Sequence, residues 1–222
     1  MKAHEDKHGR RWYYRGDGSA LPSVTSCISH LNGSFWHEDE YAGMDPINRE
    51  IALLEGIGCH AACLDWFAHY SGLQDEAELP PCPEAHPMPE RWEPIITNAI
   101  STFQEFVDIE GIEAIAVEEP AAAAAYGFAG EPDALIRYKK SKKRSILELK
   151  FAKKLIRSNF IQVACYHKLS GYNTCQDGLL LRIDKVSSLY EPERVLFAGY
   201  SGDVAAVGHV AALYQWGRQN GF

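Results

Sequence analysis

The sequence predicts an α/β fold with a central mixed sheet, in the order helix, three-stranded meander, helix, strand, flanked by further helices. Three observations predict it. The stretch PERWEPIITNAISTFQEFVDIEG (89–111) sets Ile95, Ile96, Ala99, Ile100, Phe103 and Phe106 at helical spacing and ends in a glycine stop. Three strand-like runs follow, Ile112–Glu119, Phe128–Tyr138 and Ser145–Ala152, the last two joined by the basic loop KKSKKR. A second helical stretch, Leu155–Leu169, leads into the strand GLLLRID at 178–184.

The other elements follow in chain order. RRWYY (10–14) reads as an aromatic extended piece, RGDG as a turn, and a short helix begins near Pro22 or Ser23. Asp45 as N-cap and Pro46 at the first helical position open a long helix through His69 and Tyr70. Residues 72–90 hold five of the chain's eleven prolines and read as an irregular surface loop. A strand at Arg194–Tyr200 and a helix at Asp203–Gln219 complete the chain.

At 222 residues, 46% hydrophobic and 23% charged, the chain suits one domain with a sizeable core, 1–222. A helical part at about 20–110 is expected to pack on a core at about 90–200. No apolar run is expected to cross a membrane, and the N-terminus has neither signal-peptide nor transit-peptide character, which places the chain in the cytoplasm or another reducing compartment. The six cysteines form no CxxC pair or zinc-ribbon spacing. They read as free thiols, with no iron-sulfur cluster expected.

Net charge is −8, which argues against coating nucleic acid by charge alone. The charge is unevenly spread, however. Between Arg137 and Arg157 lie ten Lys or Arg residues and a single acid, Glu148. One basic segment on an acidic body suits a polyanion contacted at one place, and KKSKKR alone suits a solvated hairpin tip equally well.

The candidate chemistry centres on ILELK. In a strand, Glu148 and Lys150 leave one face while Leu147, Leu149 and Phe151 fill the other. Alone, the pair is consistent with a surface ion pair. On the preceding strand, Asp133 is expected to share a face with Glu131 and Leu135, and hairpin pairing would bring it near Glu148. Two neighbouring carboxylates repel unless a cation lies between them, and Mg²⁺ or Mn²⁺ favours such oxygen ligands. Two further residues have a bland reading beside the functional one. His60 lies with Leu53, Ile57, Leu64 and Phe67 at helical spacing, so it could be a core histidine, and Glu118 could be a solvated strand end.

EPD at 131–133 followed by ELK at 148–150 resembles the PD-(D/E)XK nuclease signature. QVACY, with Gln162 and Tyr166, resembles the QxxxY element of the RecB-like branch, and GIGCH, with Gly56 and His60, resembles its GxxxH element. YRGDGSALPSVTSCIS resembles the opening element of the phage exonucleases and the mitochondrial genome maintenance exonuclease in that branch. Ile57, Gly58 and Cys59 depart from the family pattern inside GxxxH.

The resemblance implies a restriction-endonuclease-like core and a metal-dependent DNA exonuclease for single-stranded or end-exposed DNA, in DNA processing, recombination or repair. His60, Asp133, Glu148 and the Leu149 carbonyl would hold one or two Mg²⁺ or Mn²⁺ ions. Lys150 would assist a water, Glu118 would line the site, and Gln162 and Tyr166 would position DNA. Lys142, Lys143 and Arg144 of the basic loop could contact flanking phosphates. It implies a bacterial or phage-infected cytoplasm and no membrane partner. A structure- or site-specific endonuclease on the same fold, or a catalytically silent DNA-binding relative, are the alternatives.

Overall fold

The computed structural model describes residues 1–36, 39 and 41–220. The strands are β1 (Lys2–Glu5), β2 (Arg11–Tyr14), β3 (Ala20–Pro22), β4 (Ile112–Val117), β5 (Ala121–Ala123), β6 (Phe128–Gly130), β7 (Ala134–Tyr138), β8 (Arg144–Lys150), β9 (Asp177–Asp184) and β10 (Leu189–Val195). The helices are α1 (Val24–Leu31), α2 (Pro46–Tyr70), α3 (Trp92–Glu110), α4 (Arg157–Tyr166) and α5 (Ser201–Gln219).

The α/β class is as the sequence predicts. A mixed five-stranded sheet runs in the order β10-β9-β8-β7-β4, antiparallel except for the parallel β8–β9 pair that α4 connects. Strand alternation gives this sheet two apolar faces. Ala134, Ile136, Leu147, Leu149, Leu179 and Leu181 lie in the same core as the buried side chains of α2 and α3. Leu135, Ile146 and Leu180 pack with residues of α1, α4 and α5 on the other. Glu148 shares Ile146's parity, so it points at α4.

Local chemistry sets the helix ends. Asp45 accepts from the N–H groups of Ile47 and Asn48, both at 3.1 Å, beneath Pro46. Gly111 stops α3 at φ 62°, a left-handed turn that suits glycine. Ser23 caps α1, its hydroxyl accepting from the Ser26 N–H at 2.9 Å. Fifty per cent of the most apolar window of α2 is buried within the protein. That helix corrects one expectation, because by length and composition it could cross a membrane. Here it packs as a core helix and buries Glu55, 3.2 Å from Arg91 and 3.5 Å from Lys185.

Several boundaries differ from expectation. The run Phe128–Tyr138 is two strands: β6 pairs with the alanine-rich β5, the chain breaks strand geometry at Glu131–Asp133, and β7 begins at Ala134. Asp133 is therefore not a strand residue sharing a face with Glu131 and Leu135. The last strand of the main sheet is Leu189–Val195, while Phe197–Tyr200 is a 3₁₀ turn. Pro192 and four charged or exposed neighbours hide that edge strand from any alternation test. The expected core stripe through His60 holds only in part: Leu64 and Phe67 are buried, but Leu53 and Ile57 are exposed, and the buried face of α2 runs through Ile51, Glu55, Cys59, Ala62, Cys63, Leu64 and Phe67.

Candidate active site

Four segments meet at the C-terminal end of β8. Asp133, immediately before β7, accepts the Leu149 N–H through Oδ2 at 2.6 Å, and its Oδ1 lies 2.9 Å from His60 Nε2 of α2. Glu148 Oε1 accepts from Lys150 Nζ at 2.8 Å and from Gln162 Nε2 of α4 at 2.7 Å. Lys150 Nζ also donates to Gln162 Oε1 at 3.1 Å, and Gln162 Nε2 donates to the Tyr166 hydroxyl at 2.8 Å. His60, Asp133, Glu148, Lys150, Gln162 and Tyr166 are thus brought together, as the sequence predicts.

Small residues permit this convergence. A Cβ on Gly130 would lie 2.6 Å from the Tyr166 ring, so the glycine admits that side chain between β6 and α4. A Cβ on Gly58 would meet Trp92 at 2.3 Å, which lets α2 press against α3. Gly56 is different: its Cβ would sit an ordinary 3.7 Å from Phe151. The closest neighbour of the two is the Trp92 side chain at Gly58, whereas the Phe151 carbonyl oxygen would lie 4.0 Å from a Cβ at Gly56.

Burial and charge set the proton states. Asp133 is 6% exposed and Glu148 is 2% exposed. Burial pushes the Glu148 carboxyl up, Asp133's charge adds to it, and Lys150 and His60 only partly offset them; the result is about 7. Burial is the largest influence on His60 and disfavours its charged form, but the charge and hydrogen bond of Asp133, with the charges of Glu148 and Glu118, together outweigh it and raise the imidazole to about 9. Asp133 stays below the ordinary range, since His60, Lys150 and the Leu149 N–H together outweigh its burial. Glu148 Oε2 is buried with no hydrogen-bond partner, an expensive position for an oxygen unless a ligand occupies it.

Glu118 lies one residue beyond β4, after a bulge between Ala114 and Ala116. Its φ is 46°, unusual for a non-glycine residue, and its N–H donates to the Asp133 carbonyl at 3.1 Å. Its side chain reaches solvent, yet partial burial and then the neighbouring Asp133 and Glu131 raise its carboxyl above the usual range against the pull of His60. A cleft of about 710 Å³ along the outer edge of β4 reaches Glu118, and a polar groove of about 310 Å³ between α1 and α4 reaches Gln162.

The expected DNA contacts are corrected in part. Tyr166 is 3% exposed, so it holds Gln162 from inside and cannot touch a bound strand in this conformation. The basic loop sits at the opposite end of β8 from Glu148. There, Lys143 is tied to the buried Asp177 at 2.6 Å, and Arg144 donates to Thr174 Oγ1 at 3.2 Å. Lys142 is exposed, at φ 59°.

Sequence reasoning missed Arg11 and Tyr13. Both meet Glu131, the Arg11 Nη2 at 2.9 Å and the Tyr13 hydroxyl at 3.2 Å. Glu131 lies about 120 positions away in the chain, and Trp12 and Tyr13 are both buried, so no alternation exposed the pairing.

For a divalent cation, His60, Asp133 and Glu148 offer a mixed donor set with one unsatisfied carboxylate oxygen. Among the described residues, no three His, Cys, Asp or Glu side chains are gathered as a ready-made cage.

No family model matches the chain, and no curated protein does. A solved structure described as the crystal structure of SSO0001 aligns over 85% of this chain and 83% of that one, at 12% identity and a TM-score of 0.33. A likeness that weak carries no argument.

Proposed function

We propose that the protein is a metal-dependent deoxyribonuclease of the PD-(D/E)XK superfamily, RecB-like branch. Its core would be restriction-endonuclease-like, and it would act as an exonuclease on single-stranded or end-exposed DNA in processing, recombination or repair. One observation carries the reading: Asp133, Glu148 and Lys150 converge with His60, Gln162 and Tyr166 at one end of the sheet, and one Glu148 oxygen is left without a partner.

His60, Asp133, Glu148 and the Leu149 carbonyl would hold one or two Mg²⁺ or Mn²⁺ ions. When bound, the metal supplies Lewis-acid activation of the phosphoryl group and of an attacking water. His60 must first surrender the proton it shares with Asp133, since only a neutral imidazole can ligate. Lys150, held by Glu148 and Gln162, keeps an ammonium beside the carboxylate, where it can orient a water or stabilise charge developing on the phosphate. Gln162 fixes both groups at once, and the buried Tyr166 fixes Gln162.

An end-labelled linear DNA and a closed circular plasmid, each with Mg²⁺ or Mn²⁺, test the reading. Shortening of the linear DNA with the circle left intact is the expected result. Nicking of the circle would make the protein an endonuclease. Failure to cleave any DNA with either ion, with no metal binding by calorimetry, would remove the enzyme reading.

A further inference from the structure

Resting on the nuclease reading, we infer that Arg11, seated on Tyr13 and Glu131, is a phosphate-binding subsite at the mouth of the active site, gripping one backbone phosphate of the bound strand. The backbone of Arg11 is fixed on both sides. Its N–H donates to Ser26 Oγ at 2.8 Å, and its carbonyl accepts from the Ser23 N–H at 2.8 Å. The cap of α1 therefore sets where β2 presents this residue. The guanidinium lies 5.4 Å over the Tyr13 ring and makes one 2.9 Å contact to Glu131. The side chain is still 45% exposed, so the rest of its donor fork faces solvent.

Glu131 stands two residues before Asp133, whose carbonyl accepts the Glu118 N–H at 3.1 Å, so the contact with Glu131 ties Arg11 to the segment that carries the site. The surroundings explain why a cation is needed there. Asp133 and Glu148 are buried and are the carboxylates a metal would neutralise, and His60 and Lys150 are already paired inward, which leaves Glu118 and Glu131 at the mouth as charges that repel a polyanion. Tyr166 is buried and the basic loop is at the far end of β8, so neither grips the strand at this point. A planar guanidinium with free donors suits two phosphate oxygens better than any other side chain. A bare surface pair between Arg11 and Glu131 would need no such anchoring and would contribute little.

The test uses single-stranded DNA oligonucleotides carrying one neutral methylphosphonate at successive positions, bound with Ca²⁺ and cleaved with Mg²⁺. Wild-type protein is expected to lose about tenfold in affinity when the neutral linkage occupies one particular position. Arg11→Ala should show a similar loss on unmodified DNA and no further loss at that position, with an unchanged melting temperature. Arg11→Gln, which keeps a donor for Glu131, carries the same comparison if the alanine variant does not fold. Wild-type affinity in the variant, or undiminished sensitivity at every position, would overturn the subsite while leaving a working nuclease. A wild-type protein that neither binds nor cleaves DNA would overturn both readings.

Discussion

Lys150 shows how one side chain couples the site together. Its ammonium bridges Glu148 Oε1 and Gln162 Oε1, so Lys150→Ala removes a charge from the reacting region but leaves Asp133, His60 and Glu148 in place. On the proposed nuclease reading, cleavage should fall by about 10²–10⁴-fold. Circular dichroism and calorimetric metal binding should stay near wild type, and full turnover would remove Lys150 from the mechanism. Glu148 gives a prediction of a different kind. Its carboxyl rises from 4.5 to about 7 in the folded protein, so between those values the native state binds more protons than the unfolded chain. The contribution is complete below 4.5 and is lost as pH rises through 7. His60, raised from 6.5 to about 9, adds stability that is full below 6.5 and lost towards 9. Metal-free protein should therefore melt at progressively lower temperature from pH 5 to pH 9. Glu148→Gln should flatten the part below pH 7, a difference of a few kcal/mol. If the variant and the wild type share one profile by scanning fluorimetry, Glu148 is not protonated in the folded state.

At the level of elements, the helices were the most legible part of the sequence. Asp45, Pro46 and Gly111 carry their own stop and start chemistry; α2 has the expected bounds, and α3 ends as expected but begins at Trp92, three residues late, behind a 3₁₀ turn at Pro89–Arg91. The site was legible for a related reason: Glu148 and Lys150 on one strand face, and Gln162 and Tyr166 on one helix, are local relations fixed by period. What stayed hidden is non-local. The break before β7 depends on β6 leaving to pair with β5, and β10 is an exposed edge with a proline. The two glycines of α2 separate a packing role from a permissive one. Gly58→Ala forces a Cβ to 2.3 Å from Trp92 and should cost about 1–3 kcal/mol. Gly56→Ala meets only Phe151 at 3.7 Å, and with the helix preference of alanine it should leave stability unchanged or raise it by up to about 1 kcal/mol. Denaturant unfolding decides between them. Equal losses at both positions would mean that α2 and α3 do not pack as described.

Across the whole molecule, the sheet separates charge from chemistry. The site occupies the C-terminal end of β8, while the basic loop occupies its N-terminal end, where Ser145 also meets Asp177. Lys142, in the loop before β8, and Glu148 are six residues apart in sequence, so at about 3.3 Å per residue they lie at most about 20 Å apart. At 3.4 Å per nucleotide along one strand of a duplex, that distance spans about six base pairs. The exposed Lys153 and Lys154, in contrast, follow β8 directly at the site's own end. A short single strand seated in the site would meet this second pair and not the loop. Replacing Lys139, Lys140 and Lys142 together with Gln should therefore leave the affinity for a short single-stranded oligonucleotide near wild type. It should weaken binding to a duplex longer than about six base pairs and make that binding less dependent on salt. Lys153→Gln with Lys154→Gln should weaken both substrates. Fluorescence anisotropy across a salt series reads all four combinations. A loop variant that loses the short oligonucleotide as strongly as the long duplex would mean that DNA runs along the sheet towards β9, and that the two ends of β8 act as one surface.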